Sequence, residues 1–232
     1  MNKPIRSMSA EDIENLPTLG LDDGFEFRCK ECGKCCKQRH DILLTAYDLF
    51  RVAGYLGRTP HEILERYCEV YEGHSTCFPV VRIIPIPPDD ACPFLRNKKC
   101  VIHEKKPVIC RVYPLARIFI HGDVRYRFEG AGCKHEPRNI TVREWIADVA
   151  SEESEQAALI WGETVSTLLP LVHPDELKVP TDVREKILGI ILKALWLDYD
   201  MKEPFVPQLS RNAEKLIRML KDMHKELSQI NL

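Results

Sequence analysis

Four cysteines stand within eight residues near the start of the chain, in the stretch CKECGKCC. They are Cys29, Cys32, Cys35 and Cys36. Cysteine thiolates are ligands for zinc and for iron–sulfur clusters, and a two-residue spacing lets a tight turn aim successive sulfurs at one ion. Gly33 is free to adopt the positive φ that such a turn needs. The spacing therefore predicts a metal-binding knuckle.

Four more cysteines follow at intervals that also form a pattern. They are Cys92, Cys100 and Cys110 in CPFLRNKKCVIHEKKPVICRVYP, and Cys133 in GAGCKHEP. Neighbouring Cα atoms lie about 3.8 Å apart, and in extended backbone the side chains of Cys35 and Cys36 would point to opposite sides. We therefore expect the two to serve two metals, either in two four-thiolate sites or as two irons of one cluster. The spacing leaves open which cysteine joins which set.

Composition restricts the classes of protein that fit. The chain has 232 residues, 44% of them hydrophobic, and a formal net charge of −2, so it lacks the global charge that attracts nucleic acid or anionic membrane. The opening residues hold no secretory signal, and no run approaches the ~18 apolar residues of a membrane helix. These features predict a cytoplasmic protein with reduced thiols, which favours metal chemistry over disulfides.

Basic residues concentrate around the cysteines. Between Arg28 and Arg39 there are five Lys or Arg and one acid, and between Cys92 and Arg117 there are seven and one acid. A centre with four thiolates around Zn²⁺ or an oxidised four-iron cluster carries a charge of about −2, which is costly to bury without cations or N–H donors. The alternative interpretation is a docking surface for an anionic partner, and both interpretations can hold together.

Capping and hydrophobic patterns predict short helices and strands in the cysteine-rich part of the chain. Thr45 with Asp48 and Thr59 with Glu62 fit capping boxes, which predicts helices over residues 46–56 and 60–72, with Gly57 as the C-cap between them. A short extended piece is expected at residues 25–28. CFPVVRIIPIPP favours an edge strand, and RIFIHGDVRYRF a hairpin with one face buried.

The sequence pattern after residue 140 predicts helices. A third capping box, Thr141 with Glu144, opens a helix that is predicted to run to Pro170, and two further helices follow. The last helix carries Leu216, Leu220, Met223 and Leu227 at helical spacing, which indicates packing against the other helices rather than a partner-binding face. The fold class is α+β: an N-terminal arm (1–24), a small cysteine-rich metal-binding module with short helices and a β-hairpin (25–145), and a C-terminal helical region packed on it (146–232).

The cysteine pattern, the proline after Cys92 and the Cys-Arg-x-Tyr-Pro unit at Cys110 resemble the YkgJ-type cysteine-cluster family, also called the CxxCxxCC zinc- or iron-chelating domain. The resemblance covers about residues 25–145. It implies metal binding by the eight patterned cysteines, as zinc or an iron–sulfur cluster such as 4Fe-4S, and some members are described as oxidoreductases. A similar cysteine module accompanies flagellin lysine N-methylase.

Other residues near the cysteines carry weaker signals. Cys68 and Cys77 fall outside the pattern, and Cys68, at an inward spacing on the second predicted helix, is expected to be a buried small hydrophobe. His103 and His135 could replace a cysteine as ligand but are more often hydrogen-bonding histidines. Arg111 is expected to bind near a cofactor by donating to cluster sulfurs or neighbouring carbonyls. The sequence shows no nucleotide or methyl-donor fingerprint.

Two functions follow from these residues. The first is a protein holding one or two iron–sulfur clusters for electron transfer or as a component of an oxidoreductase, with a redox or other protein partner. The second is a zinc-stapled structural protein that binds a partner through its C-terminal helices. An enzyme with a metal acting on another protein stays open as a third. We also expect the module to lose stability without its metal, because little apolar surface lies between Cys92 and Cys110.

Overall fold

The computed structural model describes residues 16–230 apart from residues 75, 121–122, 134, 148, 150 and 176, and without the side chains of residues 119, 120, 123 and 227–230. The expected N-terminal arm lies mostly outside this range. The α-helices are Ala46–Tyr55 (α1), Pro60–Tyr67 (α2), Val108–Val112 (α3), Val142–Ile146 (α4), Glu152–Val172 (α5), Thr181–Leu192 (α6) and Phe205–Ile230 (α7). The strands are Gly24–Arg28 (β1), Cys68–Glu72 (β2), Pro79–Ile83 (β3), Leu95–Arg96 (β4), Lys99–Cys100 (β5), Leu115–Ile120 (β6), Asp123–Phe128 (β7) and Glu136–Thr141 (β8).

The strands form four separate antiparallel pairs, β1 with β8, β2 with β3, β4 with β5 and β6 with β7. The pair β1 and β8 joins the two ends of the cysteine-rich half, since Phe25 faces Ile140 and Gly24 faces Thr141. Helices make up most of the C-terminal part of the chain. The α+β class is confirmed.

All three capping boxes are present and explain where three helices begin. The Thr45 hydroxyl accepts the Asp48 N–H at 3.1 Å, and the Asp48 carboxylate accepts the Thr45 N–H at 3.1 Å. Thr59 with Glu62 and Thr141 with Glu144 repeat this arrangement. Each box satisfies backbone donors that the first helical turn leaves free. Gly57 follows the C-cap of α1 with φ 63°, as expected for a residue that ends a helix.

The second predicted helix is shorter than expected. It ends at Tyr67, and residues 68–72 form strand β2 instead of the last helical turn. In β2, Val70 pairs with Val81 and Tyr71 with Val80. β-Branched and aromatic residues favour this pairing, and tertiary contact with β3 overrides the local helical pattern.

The helix after Thr141 is also shorter than predicted. It ends at Ile146, and a new helix begins after Ser151, whose hydroxyl accepts the Ser154 N–H at 3.2 Å. This second helix contains Pro170 and continues to Val172. The N-cap serine therefore marks a helix start that the sequence interpretation passed over.

The predicted hairpin forms from β6 and β7, and its turn lies outside the described residues. Its burial differs from the expectation. Leu115 and Tyr126 are buried on one face, but Ile118 and Arg127 are buried on the other. The hairpin is therefore covered on both sides rather than on one.

A large hydrophobic core joins the two halves of the chain. It contains Leu49 and Ile63 from the first two helices together with Ile191, Trp196 and Leu216 from the C-terminal helices. The Trp196 indole N–H donates to the carbonyl of Leu44 at 3.1 Å across this junction. The C-terminal helices are thus packed on the cysteine-rich half.

A smaller core lies beneath β1 and the hairpin. Its buried members are Phe25, Phe27, Val112, Leu115, Tyr126, Val142 and Ile146. The ring of Trp145 stands edge-on to Phe27 at a centroid distance of 5.1 Å. This small core fixes the start of the cysteine stretch, which follows β1 directly.

The apolar stripe of the last helix packs inward. Leu216 and Leu220 are buried in the large core and Met223 packs against it, while the side chain of Leu227 lies outside the described residues. The predicted core-packing role is therefore confirmed for the three described positions. Among the described helices, none has the length and apolarity required to cross a membrane.

Candidate metal centre

All eight patterned cysteines line one cavity of about 80 Å³. These cysteines come from three separate segments of the chain, which are residues 29–36, residues 92–110 and Cys133. Cys68 and Cys77 are absent from its lining. A volume of this size exceeds the ~15 Å³ that one water needs. We call it the cysteine cavity.

The first four cysteines are held by a tight turn. Gly33 has φ 70°, and Lys34–Cys36 form a 3-10 helix. A Cβ on Gly33 would lie 2.8 Å from the Lys98 carbonyl oxygen, so the turn needs glycine both for its backbone angle and for this close approach. The positive φ predicted for Gly33 is confirmed.

The helical turn corrects the expectation for the adjacent pair. Cys35 and Cys36 are not in extended backbone, and both line the same cavity. Their side chains hydrogen-bond to each other. The argument that opposite orientation sends them to two metals is therefore wrong. Both lie near Cys92 and Cys100, and Cys35 also lies near Cys133.

The hairpin β4–β5 positions Cys100. Its two turn residues, Asn97 and Lys98, have φ values of 48° and 65°. Two successive positive φ angles are typical of the type I′ turn that joins tightly paired strands. Leu95 pairs with Cys100 across the hairpin, and Cys92 donates its N–H to the Cys36 carbonyl at 2.7 Å. These bonds tie the second cysteine segment to the first.

Three sulfurs accept a backbone N–H from the residue two positions later. Glu31 donates to the Cys29 sulfur at 3.3 Å, Phe94 donates to Cys92, and Ile102 donates to Cys100. Hydrogen bonds to a sulfur favour its deprotonated form. The backbone is therefore arranged to stabilise thiolates.

Asp48 positions Cys110, a role that the sequence interpretation missed. Beyond capping α1, its carboxylate accepts the N–H of Val108, the first residue of α3, at 2.9 Å. Asp48 is buried, and this burial raises the pKa of its carboxyl, against the opposing effect of the Val108 N–H. The capping box was visible in sequence, but the second acceptor contact joins residues sixty apart and had no local signal.

The eight cysteines form two sets of neighbours that meet at Cys35. Cys133 lies against Cys32 and near Cys29 and Cys35, and it packs on the small core. Cys36 lies near Cys92 and Cys100, Cys110 is near the same two, and all three of Cys92, Cys100 and Cys110 pack on the large core. Cys35 also lies beside Cys36 and near Cys92 and Cys100. We assign Cys35 to the first set, which gives an outer group (Cys29, Cys32, Cys35, Cys133) and an inner group (Cys36, Cys92, Cys100, Cys110).

Burial and charge act differently on the two adjacent thiols. The hydrogen bond from Cys36 lowers the pKa of Cys35, assisted by Lys106 and Arg39, while the same bond and burial raise the pKa of Cys36. Elsewhere in the inner group burial raises the pKa of Cys92 to about 11 and also raises that of Cys110. These thiols must therefore lose protons to bind a metal.

The cationic environment is smaller than the sequence count suggested. Lys30, Arg39, Lys98 and Lys106 line the cavity. Acids pair with several of the basic residues: Glu136 contacts Arg28 and Lys30, Asp89 contacts Lys37, and Asp41 contacts Arg39. The count of twelve basic residues against two acids overlooked these partners, because all three acids lie outside the two segments that were counted.

The sulfurs are gathered but not drawn into a coordination shell. In the described part of the chain, no three Cys, His, Asp or Glu side chains are grouped closely enough to hold a metal ion. Neutral thiols have no electrostatic reason to approach each other as closely as thiolates around a cation do. The donor set, the N–H contacts to sulfur and the nearby cations nevertheless fit a thiolate-bound metal.

The remaining candidates take different places. His103 lines the cysteine cavity, and burial together with Lys106 lowers its pKa. His135 does not line the cavity and stands 3.1 Å from the Cys133 carbonyl. Arg111 donates to the carbonyls of His103 and Glu104, at 3.4 and 3.2 Å, and lines a neighbouring cavity. Its predicted contact with carbonyls is present, and its role toward a cofactor stays a prediction.

The two unpatterned cysteines lie outside the cavity. Cys68 is buried at the first position of β2, not on a helix as expected, and burial raises its pKa to about 12. Its expected role as a small hydrophobe in the core agrees with this placement. Cys77 is partly buried and has φ 51°.

Comparison with known proteins identifies the cysteine-rich half. Residues 28–145 match the family model "CxxCxxCC: Putative zinc- or iron-chelating domain". An uncharacterized protein of Methanocaldococcus jannaschii, MJ0661, is 33% identical over 94 residues, which cover 40% of this chain and 46% of that protein. The chain thus matches less than half of that relative's length. No solved structure matches the chain.

The matched range begins at β1, ends in α4 and includes every cysteine of the cavity. It occupies half of the chain, and its description agrees with the sulfur donors gathered there. The chain therefore belongs to the CxxCxxCC family of zinc- or iron-chelating domains.

Proposed function

We propose that this protein holds two metal centres through its eight patterned cysteines, as iron–sulfur clusters that serve electron transfer or form part of an oxidoreductase. The observation that carries the proposal is the shared cavity. All eight patterned cysteines line it, whereas Cys68 and Cys77 do not. The pattern in the sequence and the convergence in space thus select the same eight residues.

The division into outer and inner groups supports two centres. Each group contains four cysteines, which is the number that a four-iron cluster or a structural zinc uses. Cys35 and Cys36 are adjacent in the chain and belong to different groups. Two centres bound in this way would lie side by side, an arrangement suited to passing an electron from one to the other.

The N–H donors and cations around the cavity suit an iron–sulfur cluster. Iron–sulfur clusters supply one-electron redox chemistry, and hydrogen bonds to their sulfurs together with nearby charge set their potential. Here backbone N–H groups already donate to three sulfurs, and Lys106 and Arg39 lie close to Cys35 and Cys110. The chain's own residues would thus stabilise the negative charge of a reduced centre.

Zinc is the second candidate, and the turn geometry fits it as well as it fits an iron–sulfur cluster. The N–H contacts to Cys29, Cys92 and Cys100 and the tight turn at Gly33 serve a structural zinc equally well. The strands around the cavity are short, with only two residues each in β4 and β5, so a metal would supply much of the local stability. In this form the protein would have a structural role, with a partner bound elsewhere.

Anaerobic purification followed by iron, sulfide and zinc analysis separates the two forms. We expect iron and sulfide in near-equal amounts and a broad visible absorption band that bleaches on reduction. A colourless protein with two zinc ions per chain would instead establish the zinc form. A fully folded protein without any transition metal would contradict both.

Cysteine variants test the proposed ligands. Cys32→Ser removes an outer ligand and Cys36→Ser an inner one, so each is expected to lower bound metal by about half. Cys77→Ser is the matched control, because it removes a thiol outside the cavity and should leave the metal content unchanged. Equal metal in all three variants would contradict ligation by the cavity cysteines.

A further inference from the structure

The cysteine cavity adjoins a second cavity that reaches solvent. This vestibule has a volume of about 200 Å³ and is lined by Cys29, Glu31, His103, Lys106, Arg111 and Trp145. Five of these residues, Cys29, Glu31, His103, Lys106 and Trp145, also line the cysteine cavity. The two cavities therefore share a wall.

Only the outer group reaches the vestibule. Of the eight patterned cysteines, all of them within the described residues, Cys29 alone lines both cavities. Two outer cysteines, Cys29 and Cys32, are exposed, whereas Cys35, Cys133 and the four inner cysteines are partly buried. The inner group is further covered by the large core, on which Cys92, Cys100 and Cys110 pack.

The vestibule has the character of an entry for anions. Lys106 and Arg111 place two permanent positive charges in its wall against the single carboxylate of Glu31. A cleft with an excess of one charge sign raises the local concentration of small ions of opposite sign and their rate of arrival. Reagents that carry negative charge should therefore reach Cys29 faster than neutral ones of similar size.

Glu31 stands in the vestibule wall in a strained backbone conformation. Glu31 has φ 50°, in the left-handed region that glycine adopts without strain. A residue with a side chain costs about 1 kcal/mol or more in this conformation. The chain thus places a carboxylate in the vestibule wall at a position where glycine would be the less strained choice.

We propose that the outer group is an exchangeable metal site, reached through the vestibule by small anionic chelating ligands, while the inner group retains its metal. This inference rests on the proposed function, because it requires metal in both groups. It assigns the two groups different roles. The inner centre maintains the fold of the cysteine segments, and the outer centre is where metal, or a small ligand of the metal, is exchanged with solution.

Metal release from the full-length protein as purified tests the proposal. At low ionic strength, excess EDTA is expected to remove about half of the metal in a fast phase and the rest at least tenfold more slowly. Trapping the released thiols with iodoacetamide and mapping them by mass spectrometry should show Cys29, Cys32, Cys35 and Cys133 labelled in the fast phase. Release of all metal in one phase, or early labelling of Cys92 and Cys100, would overturn the proposal.

Charge variants test the role of the vestibule. Lys106→Met is expected to slow the fast phase with anionic EDTA by about threefold and to leave the fast phase with neutral 1,10-phenanthroline unchanged. Glu31→Gln should act in the opposite direction and speed release by EDTA, a gain that a misfolded variant would not produce selectively. Lys105→Met is the matched control, since it removes the same charge from the adjacent exposed residue, which lines neither cavity.

The outcomes also separate this proposal from the proposed function. Protein that is purified anaerobically without metal defeats the proposed function itself. Protein with its full metal content and a single release phase defeats only the exchangeable site. Equal slowing by Lys106→Met and Lys105→Met, or equal slowing with both chelators, would show that the vestibule does not select anions.

Discussion

At the scale of single residues, the turn at Gly33 joins the two cysteine segments. Its positive φ lets the chain bring Cys32, Cys35 and Cys36 to one cavity, and its missing side chain lets the backbone approach Lys98 in the β4–β5 hairpin. Both properties are needed at once. Gly33 is therefore the glycine of the site that is most sensitive to substitution.

Gly33→Ala tests this double requirement, with Gly57→Ala as the matched control. Gly57 has a similar φ of 63° but no atom within 4 Å of an added Cβ. The control should lose about 1 kcal/mol of unfolding free energy from its backbone angle alone. Gly33→Ala should lose at least about twice as much, because Lys98 or the turn must also move. Denaturant unfolding of the metal-loaded proteins measures both, and equal losses would show that the close approach is unimportant.

At the scale of elements, the cysteine segments are weakly structured by their own contacts. The hairpin β4–β5 has two residue pairs, and an isolated hairpin of this size is marginally stable in water. Phe94 and Ile102 are the buried apolar residues that flank it. The Val108 N–H bond to Asp48 and the packing of Ile109 on the large core also hold this segment, and a metal bound to the cysteines would add further stabilisation.

Metal removal should therefore loosen some elements and spare others. With a chelator present, amide hydrogen exchange is expected to accelerate at residues 29–36 and 92–110 by at least tenfold. Amides in α5 and α7 should stay protected, because these helices pack on each other and on the large core. The helices serve as the internal control in the same sample. Uniform acceleration throughout the chain, or none at all, would contradict the expectation.

At the scale of the whole molecule, the large core makes the cysteine-rich half depend on the C-terminal helices. Leu49 and Ile63 are almost fully buried, and the residues that cover them include Trp196 and Leu209. The sequence interpretation divided the chain near residue 145 and treated the cysteine module as a unit. The shared core leads us to expect that the two parts unfold together.

Trp196→Ala tests this coupling in the full-length protein. Truncating a buried tryptophan is expected to lower the free energy of unfolding by about 3–5 kcal/mol, which includes the loss of the hydrogen bond from the indole N–H to the Leu44 carbonyl. If the halves are coupled, the metal absorption and the helical circular dichroism should move together to lower denaturant concentration. Leu159→Ala, at a side chain 67% exposed on α5, is the control and should change stability by less than about 0.5 kcal/mol. Two separate transitions in the variant would show that the module folds by itself.

Local sequence signals predicted much of this protein. The three capping boxes, the positive φ of Gly33, the hairpin pairing of β6 with β7 and the inward stripe of the last helix were all readable, because each depends on residues within a few positions of one another. The strand after Tyr67 and the helix start at Ser151 were missed. In the first case pairing with β3, whose partner residues lie seven to fifteen positions away, overrode a continuing helical pattern.

The sequence alone determined the proposed donor set, because the number, type and spacing of eight cysteines are local chemical facts. Only the tertiary structure decided how those cysteines are grouped, since Cys32 meets Cys133 and Cys36 meets Cys92 through contacts between distant segments. The same holds for the charges, because Glu136 and Asp89 pair with basic residues far from them in the chain. Spacing specifies which atoms can bind a metal, whereas the packing of separate elements specifies which of them face each other and which face solvent.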